Sequence, residues 1–138
     1  MNLVAMGDAR FRLRQLRHDR SYLVGEAELM PLEPGDVGHV AAAAEALRPR
    51  LVDYLEILAA ASGTRYDLGR LPADPAALAH MAAYLLQAPP EQKQRLLASH
   101  TVEDLLIRLD ALYREELPLL KSMLAGDGPP HFGPFSLS

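Results

Sequence analysis

The side chains with the types needed for acid–base or metal chemistry are five histidines and a few carboxylates. The histidines are far apart, and no two have the i, i+4 spacing that places two ligands on one helix face. They are His18, His39, His80, His100 and His131. Glu115-Glu116 and Asp67 could be an acid and a base, but paired carboxylates are common on helix surfaces. The sequence therefore predicts no catalytic residue, no cofactor and no metal site.

The totals describe a chain long enough to bury one core. It has 138 residues, 49% of them hydrophobic, a formal net charge of −4 and no cysteine. The charge does not favour nucleic acid as a partner, and the absence of cysteine suits a reducing cytoplasm. We find no signal-peptide pattern and no apolar run long enough for a membrane span. We therefore expect a cytoplasmic protein that does not bind membranes.

The beginning of the chain alternates between apolar and polar side chains, which is typical of β-strands. In the segment 10–17, Phe11 and Leu13 alternate with arginines, which should lie on the opposite face. Leu16 is out of phase with them, so we expect a β-bulge or the strand end near Gln15.

Two further strands are predicted around that segment. A short apolar strand is expected at 2–6, joined to the next by a tight turn at Gly7-Asp8. A turn at 18–21 should lead into a strand at 22–30, after which two prolines and a glycine end the β part.

Capping residues and apolar periodicity predict four helices in the rest of the chain. They are expected at residues 37–62, 75–87, 91–98 and 102–124. Asp36, Asp74 and Thr101 are placed as N-caps, with Asp104 as the capping-box partner of Thr101. Prolines within the first and the last helix, at positions 49 and 118, should kink or split them.

These elements predict an α+β fold that is mostly α. A short antiparallel β part at 1–33 is followed by a four- to five-helix bundle at 36–126, and a glycine- and proline-rich tail at 127–138 is expected to be disordered. Three tyrosines lie on apolar helix faces, so we expect Tyr54, Tyr84 and Tyr113 in the core. Charged residues of the last helix should face solvent; they are Glu103, Arg108, Asp110, Arg114 and Glu115.

Two segments resemble the LON domain, the N-terminal substrate-recognition domain of Lon proteases that also occurs as a stand-alone bacterial protein. The first carries Gly7, Arg10-Phe11, Tyr22-Leu23, Glu26 and Glu28. The second is LPADPAALAHMAAYLLQAPPEQKQRLLASHTVEDLLIRLDALYREE at 71–116, whose most specific part is 74–112. The resemblance implies a β subdomain packed on a helical bundle, and a proteolysis-related role in holding unfolded polypeptide or partner proteins.

The chain departs from the complete LON pattern in two ways. A complete LON domain has several strands ahead of the one that begins here, so we expect the first strands to be absent. Lon proteases also continue into an ATPase and a Ser-Lys protease domain, whereas this sequence has no GxxxxGK[ST] phosphate loop, and its Lys121-Ser122 pair lies outside any protease context. We therefore expect a non-enzymatic binding module.

The predicted strands provide the candidate binding surface. An open edge at 3–6 or 23–29 would accept another strand through backbone hydrogen bonds, and an apolar surface would lie beside it. The candidate peptide-binding residues are Phe11, Leu13, Tyr22, Leu23 and Leu29. The same edge could pair with a second copy, and the helical bundle could instead dock one specific partner. Five arginines at 10–20 could attract an anionic partner, although a solvent-facing strand surface is favoured.

Overall fold

The computed structural model describes residues 2–5 and 7–126. In that part of the chain two antiparallel strands precede four α-helices and one 3-10 helix. The elements are β1 (Phe11–Arg17), β2 (Val24–Leu29), α1 (Val37–Ser62), the 3-10 helix (Leu68–Arg70), α2 (Pro75–Leu85), α3 (Pro90–Leu97) and α4 (Val102–Leu124). The predicted α+β, mostly α fold is confirmed, while the predicted tail lies outside the described residues. None of the described helices is long and apolar enough to cross a membrane.

The core lies between α1 and α4, the two longest helices, and α2 packs against both. The buried side chains of α1 are Val40, Ala44, Leu47, Leu51, Tyr54 and Leu55, and those of α4 are Val102, Leu105, Leu106, Leu109, Tyr113 and Leu117. From α2 come Leu78, Ala79 and Ala82. Burying one large apolar side chain contributes about 1.5–3 kcal/mol, so this contact supplies most of the driving force for folding.

Neither internal proline splits its helix. Pro49 lies inside α1 and Pro118 inside α4, and both helices are continuous. A proline inside a helix costs about 3 kcal/mol because it removes one backbone donor and crowds the preceding turn. Leu47 and Leu51, before and after Pro49, are both fully buried. Their burial requires that the two halves of α1 stay in register, and it outweighs the cost of the proline.

The three predicted N-caps are formed. Side-chain oxygens of Asp36, Asp74 and Thr101 accept a hydrogen bond from the N–H three residues on, at 3.0, 2.8 and 3.0 Å. The hydrogen bond from the backbone N–H of His39 and the nearby His39 imidazole lower the pKa of Asp36 below its ordinary value. Asp104 does not complete a capping box, because its carboxylate accepts from Arg108 at 2.8 Å.

Two tyrosines join three helical elements at the centre of the core. The rings of Tyr54 and Tyr113 meet edge to face, with centroids 5.0 Å apart. The Tyr113 hydroxyl donates to the Ala82 carbonyl at 2.8 Å, and the Tyr54 hydroxyl accepts from the Gln87 N–H at 2.9 Å. Burial raises the pKa of both tyrosines, more strongly at Tyr113. The end of α2 is thus tied to α1 and α4.

The prediction that Tyr84 lies in the core was wrong. Its side chain is 81% exposed, whereas Ala82, two residues earlier on α2, is fully buried. Two residues correspond to about 200° around a helix, so the two side chains lie on nearly opposite faces. Because α2 has apolar residues on all sides, its sequence does not indicate which face is buried.

The prediction that Asp110 faces solvent was also wrong. Its side chain is 14% exposed, and its carboxylate accepts a hydrogen bond from Arg50 of α1. Arg114, one turn further along α4, pairs with the same carboxylate at 2.8 Å. The position beside the buried stripe of α4 therefore links the two central helices through charge.

The predicted strand at 2–6 and the hairpin turn after it were also wrong. Residues 2–5 have no regular structure, and Leu3 and Val4 are 86% and 94% exposed. A strand needs a neighbour to pair its backbone groups, and in the described residues β1 and β2 pair only with each other. β2 begins at Val24 rather than Tyr22.

Replacing Asp110 with asparagine should lower the free energy of unfolding by about 1–2 kcal/mol, because Arg50 and Arg114 would lose a shared, largely buried charged acceptor. Glu115→Gln, on the exposed side of α4, is the matched control and should change it by less than about 0.5 kcal/mol. Urea denaturation of both variants measures the difference. Equal stability of the two variants would show that the Asp110 pairs contribute nothing.

Candidate functional site

β1 and β2 form an antiparallel hairpin whose register separates apolar from charged side chains. Paired residues on one face are Phe11 with Leu29, Leu13 with Ala27 and Leu16 with Gly25. Those on the other face are Arg12 with Glu28, Gln15 with Glu26 and Arg17 with Val24. Because directly paired residues point to the same side of a sheet, the hairpin has one apolar and one mainly charged face. We call Phe11, Leu13, Leu16, Ala27 and Leu29 the apolar hairpin face.

A β-bulge makes the apolar face continuous. The register shifts between Leu13 and Gln15, so Arg14 is the extra residue on β1. This confirms the irregularity predicted near Gln15. The shift brings Leu16 onto the same face as Leu13, although a regular strand would place them on opposite faces. Leu16 was missed as a candidate, and its broken phase was the signal that could have identified it.

The arginines of the charged face are largely neutralised by neighbours on the hairpin. Arg14 pairs with Glu28, while Arg17 pairs with Glu26 at 3.0 Å and Asp19 at 3.2 Å. These side chains are about half exposed, so each pair contributes at most about 1 kcal/mol. The ion pairs support the interpretation of this face as a solvated strand surface.

The apolar hairpin face is open to solvent. Phe11 is 61% exposed, Leu13 49%, Leu16 46% and Leu29 72%. A two-stranded hairpin alone is marginal in water, and it gains stability when its apolar face is covered. Each large side chain would contribute about 1.5–3 kcal/mol on full burial. The arrangement is therefore suited to receiving another apolar surface.

The five predicted peptide-binding residues fall into two groups. Phe11, Leu13 and Leu29 lie on the apolar hairpin face. Tyr22 and Leu23 lie in the connection between the strands, at the hairpin tip, and are 62% and 60% exposed. All five are available to a partner, but no strand holds the last two.

The hairpin is fastened to the helical bundle at its open end. Nη1 of Arg10 donates to the carbonyls of Leu97 and Ser99, both at 2.7 Å, where α3 ends. A guanidinium is favoured there because helix C-termini carry partial negative charge. After β2, the backbone of Glu33 bonds to the carbonyl of His100 and the N–H of Val102, at 2.9 and 2.8 Å.

A groove of about 780 Å³ lies between residues 7–10, α2 and α3. Its apolar wall comprises Ala83, Tyr84, Ala88, Pro90, Leu96 and Leu97. A smaller depression of about 160 Å³, lined by Phe11, Leu13 and Met30, separates the hairpin from α3. Arg10, Gln94 and Leu97 line both, so they adjoin. We call the larger one the α2–α3 groove. The sequence did not indicate it because Tyr84, which lines it, was expected in the core.

A strand hairpin ahead of a helical bundle is the arrangement that the resemblance implied. Residues 1–112 match the family model of the ATP-dependent protease La (LON) substrate-binding domain. The chain belongs to this family. No curated protein matches the chain. The LON substrate-binding domain is a non-catalytic recognition domain, so the open surfaces described above are candidates for substrate recognition.

The described part of this LON domain gathers no group of three or more histidine, aspartate or glutamate side chains that could hold a metal ion. Asp67, one of the conceivable acids, has a structural role. Its carboxylate accepts from the Gly69 N–H at 3.1 Å and pairs with Arg70 at 3.0 Å, which begins the 3-10 helix. What the arrangement offers is contact area, open backbone edges and charge.

Replacing Arg10 with methionine should loosen the hairpin while leaving the bundle intact. Hydrogen bonds to charged groups contribute about 1.5–3 kcal/mol, so exchange of the β1 and β2 amides should accelerate about tenfold or more. Arg12→Met is the matched control, since Arg12 is exposed and has no ion pair within the described residues. Hydrogen exchange followed by mass spectrometry measures the protection of the hairpin and of the helical bundle in one experiment. Unchanged exchange in the Arg10 variant would show that the hairpin is held elsewhere.

Proposed function

We propose that this LON substrate-binding domain holds segments of unfolded polypeptide without acting on them chemically. The observation that carries the proposal is the apolar hairpin face, whose large side chains stay between 46% and 72% exposed on a two-stranded sheet. Contiguous apolar surface of this kind marks interaction sites in folded proteins. Membership of a substrate-recognition family supports polypeptide as the partner.

An extended chain fits this surface in two ways. In the described residues β1 and β2 each pair on one side only, so each leaves an edge with open backbone donors and acceptors. A polypeptide added there would gain backbone hydrogen bonds largely independent of its sequence. Its alternate side chains would then extend the apolar hairpin face.

The hairpin tip and the depression beside α3 would enlarge the contact. Tyr22 and Leu23 offer apolar area at the tip, and Phe11 and Leu13 continue into the depression that ends at Leu97. Such contacts select exposed apolar segments rather than one sequence, and affinity should be weak. We further propose that the protein works in the cytoplasm, which the absence of cysteine supports.

The double variant Phe11→Ser/Leu29→Ser should bind a permanently unfolded test protein at least about tenfold more weakly, because two exposed side chains worth about 1.5–3 kcal/mol each on burial are removed. Ile107→Ser/Leu119→Ser is the matched control, since these residues are 55% and 59% exposed on α4 and should leave binding unchanged. Fluorescence anisotropy of the labelled test protein gives the affinities.

Unfolding of the hairpin in the double variant would also weaken binding of the test protein. The single variant Ala27→Arg is therefore measured together with the double variant. It places a charge in the middle of the apolar hairpin face and keeps its large side chains. Hydrogen exchange of β1 and β2 reports whether the hairpin persists. Wild-type affinity in both the double variant and the Ala27 variant would overturn the proposal.

A second copy of the chain is the other occupant that the open edges favour. Sheet edges pair with identical edges as readily as with foreign strands, and the exposed apolar face would be buried in the same step. Sedimentation velocity across protein concentrations separates the two cases. A dimer that dissociates in the Phe11→Ser/Leu29→Ser variant and excludes the test protein would favour self-association. Retention of one specific folded partner, and of no unfolded protein, would favour a docking module instead.

A further inference from the structure

Three cations border the α2–α3 groove and the depression beside it, and none has a carboxylate partner among the described residues. They are Arg10, Arg12 and Lys93. Of the eleven other cations, seven pair with aspartate or glutamate: Arg14, Arg17, Arg48, Arg50, Arg70, Arg108 and Arg114. The other four, Arg20, Arg65, Arg95 and Lys121, have no ion pair within the described residues and lie outside the lining of both cavities. The concave, apolar surface therefore carries three cations that no carboxylate of the described residues neutralises.

The charge of this region is opposite to that of the whole chain. Among the described residues that line the groove and the depression, Asp8 is the single carboxylate, against the three cations. The complete chain has a formal net charge of −4. A concave, low-dielectric wall concentrates the field of the charges at its border, so a substrate would meet a locally positive surface.

We propose that the α2–α3 groove selects acidic–apolar segments of polypeptide. An apolar side chain would enter the groove while the aspartate or glutamate beside it in the substrate pairs with the cations at the border. The inference rests on the proposed function and adds a substrate class to it: apolar segments flanked by carboxylates bind, and the same segments flanked by lysine or arginine are disfavoured.

Lys93 is best placed to meet the substrate carboxylate. Its side chain is exposed, and Nζ lies 3.4 Å from the carbonyl of Tyr84 in the last turn of α2. The C-terminal end of a helix favours a cation, so the ammonium is held at the groove border. The bond to the carbonyl uses one of three ammonium donors, which leaves others for a carboxylate.

The two arginines have different parts. Arg12 is exposed on β1 beside the smaller depression and has its guanidinium available. Arg10 already donates through Nη1 to two carbonyls, and its Nη2 is buried without a hydrogen-bond partner. Arg10 therefore contributes positive potential without contacting the substrate, whereas Arg12 and Lys93 are free to contact it. The three cations line the groove and the adjoining depression, the length over which an extended segment would run.

Polypeptide is favoured over single-stranded nucleic acid by the walls of the groove. Nucleic-acid surfaces of this type stack bases on several aromatic rings and follow the backbone with many cations. Here the walls are mainly alanine, leucine and proline, with Tyr84 and Phe11 as the aromatic residues of the described lining. A few cations around an apolar surface match scattered carboxylates on an apolar chain better than a continuous row of phosphates.

The test uses three fluorescent peptides with one apolar core, flanked by aspartate, asparagine or lysine. At low ionic strength we expect the aspartate peptide to bind about tenfold more tightly than the lysine peptide, with the asparagine peptide between, since exposed ion pairs contribute up to about 1 kcal/mol each. At about 0.5 M salt the three affinities should converge to within about twofold, because screening removes the charge contribution.

Reversing the charge of Lys93 tests whether the groove border is responsible for the preference between the peptides. Lys93→Glu should reduce or invert the preference for aspartate over lysine flanks and leave the asparagine peptide unchanged. Lys121→Glu is the matched control, because Lys121 is the other lysine of the chain and lies at the end of α4, outside the groove lining. It should keep the preference of the wild type.

The outcomes separate this inference from the proposal on which it rests. If the asparagine peptide binds and flanking charge makes no difference, the charge preference is overturned and polypeptide binding stands. If no peptide binds, both fail. If a single-stranded oligonucleotide binds more tightly than the aspartate peptide and competes with it, the unpaired cations serve nucleic acid and the inference is overturned.

Discussion

The edge-to-face contact between Tyr54 and Tyr113 is the interaction on which the rest of the structure depends. The two rings come from α1 and α4, and both hydroxyls hydrogen-bond to backbone groups at the end of α2. Because each phenol is buried and its hydrogen bond satisfied, the contact fixes position as well as contributing apolar area. The place where α2 ends determines where the chain turns into α3, and therefore the shape of the α2–α3 groove. The surface that we assign to recognition is thus set by two side chains that no substrate touches.

The hairpin is held by a different kind of interaction. It has no core of its own, and it is attached through the Arg10 hydrogen bonds, the backbone bonds of Glu33 and Leu32, which packs against the helical core just after β2. Because these contacts lie at one end of the hairpin, the apolar hairpin face stays uncovered. The bulge at Arg14 serves the same arrangement, because it returns Leu16 to the apolar side and keeps the charged pairs on the other. A surface that gains stability when covered is well suited to transient binding of many apolar segments.

Features determined by neighbouring residues could be predicted from the sequence, and features determined by distant ones could not. The caps at Asp36, Asp74 and Thr101 were correct because each depends on residues within one turn. The strand at 2–6 was wrong because pairing requires a partner elsewhere in the chain. Asp110 and Tyr84 were misplaced because their surroundings depend on which sides of α4 and α2 face the other helices. The sequence placed Phe11, Leu13 and Leu29 on the strands, but assigning Leu16 to the same face requires the position of the bulge. Identifying the groove requires the relative placement of α2 and α3, which the sequence pattern does not contain.

Net charge is a poor guide to the partners of a surface when ion pairing is uneven. The value of −4 argues against an anionic partner for the molecule as a whole. At about 0.15 M salt, charges act over about 8 Å, so a substrate responds to the few groups around it rather than to the total. In this LON domain the hairpin arginines at 14 and 17 are neutralised by carboxylates, whereas those at 10 and 12 are not. The apolar surface adjoins Arg10, Arg12 and Lys93 beside α3, so shape and charge favour the same class of segment. An apolar chain with scattered carboxylates satisfies both, while a basic chain would leave positive charges facing one another beside the apolar contact.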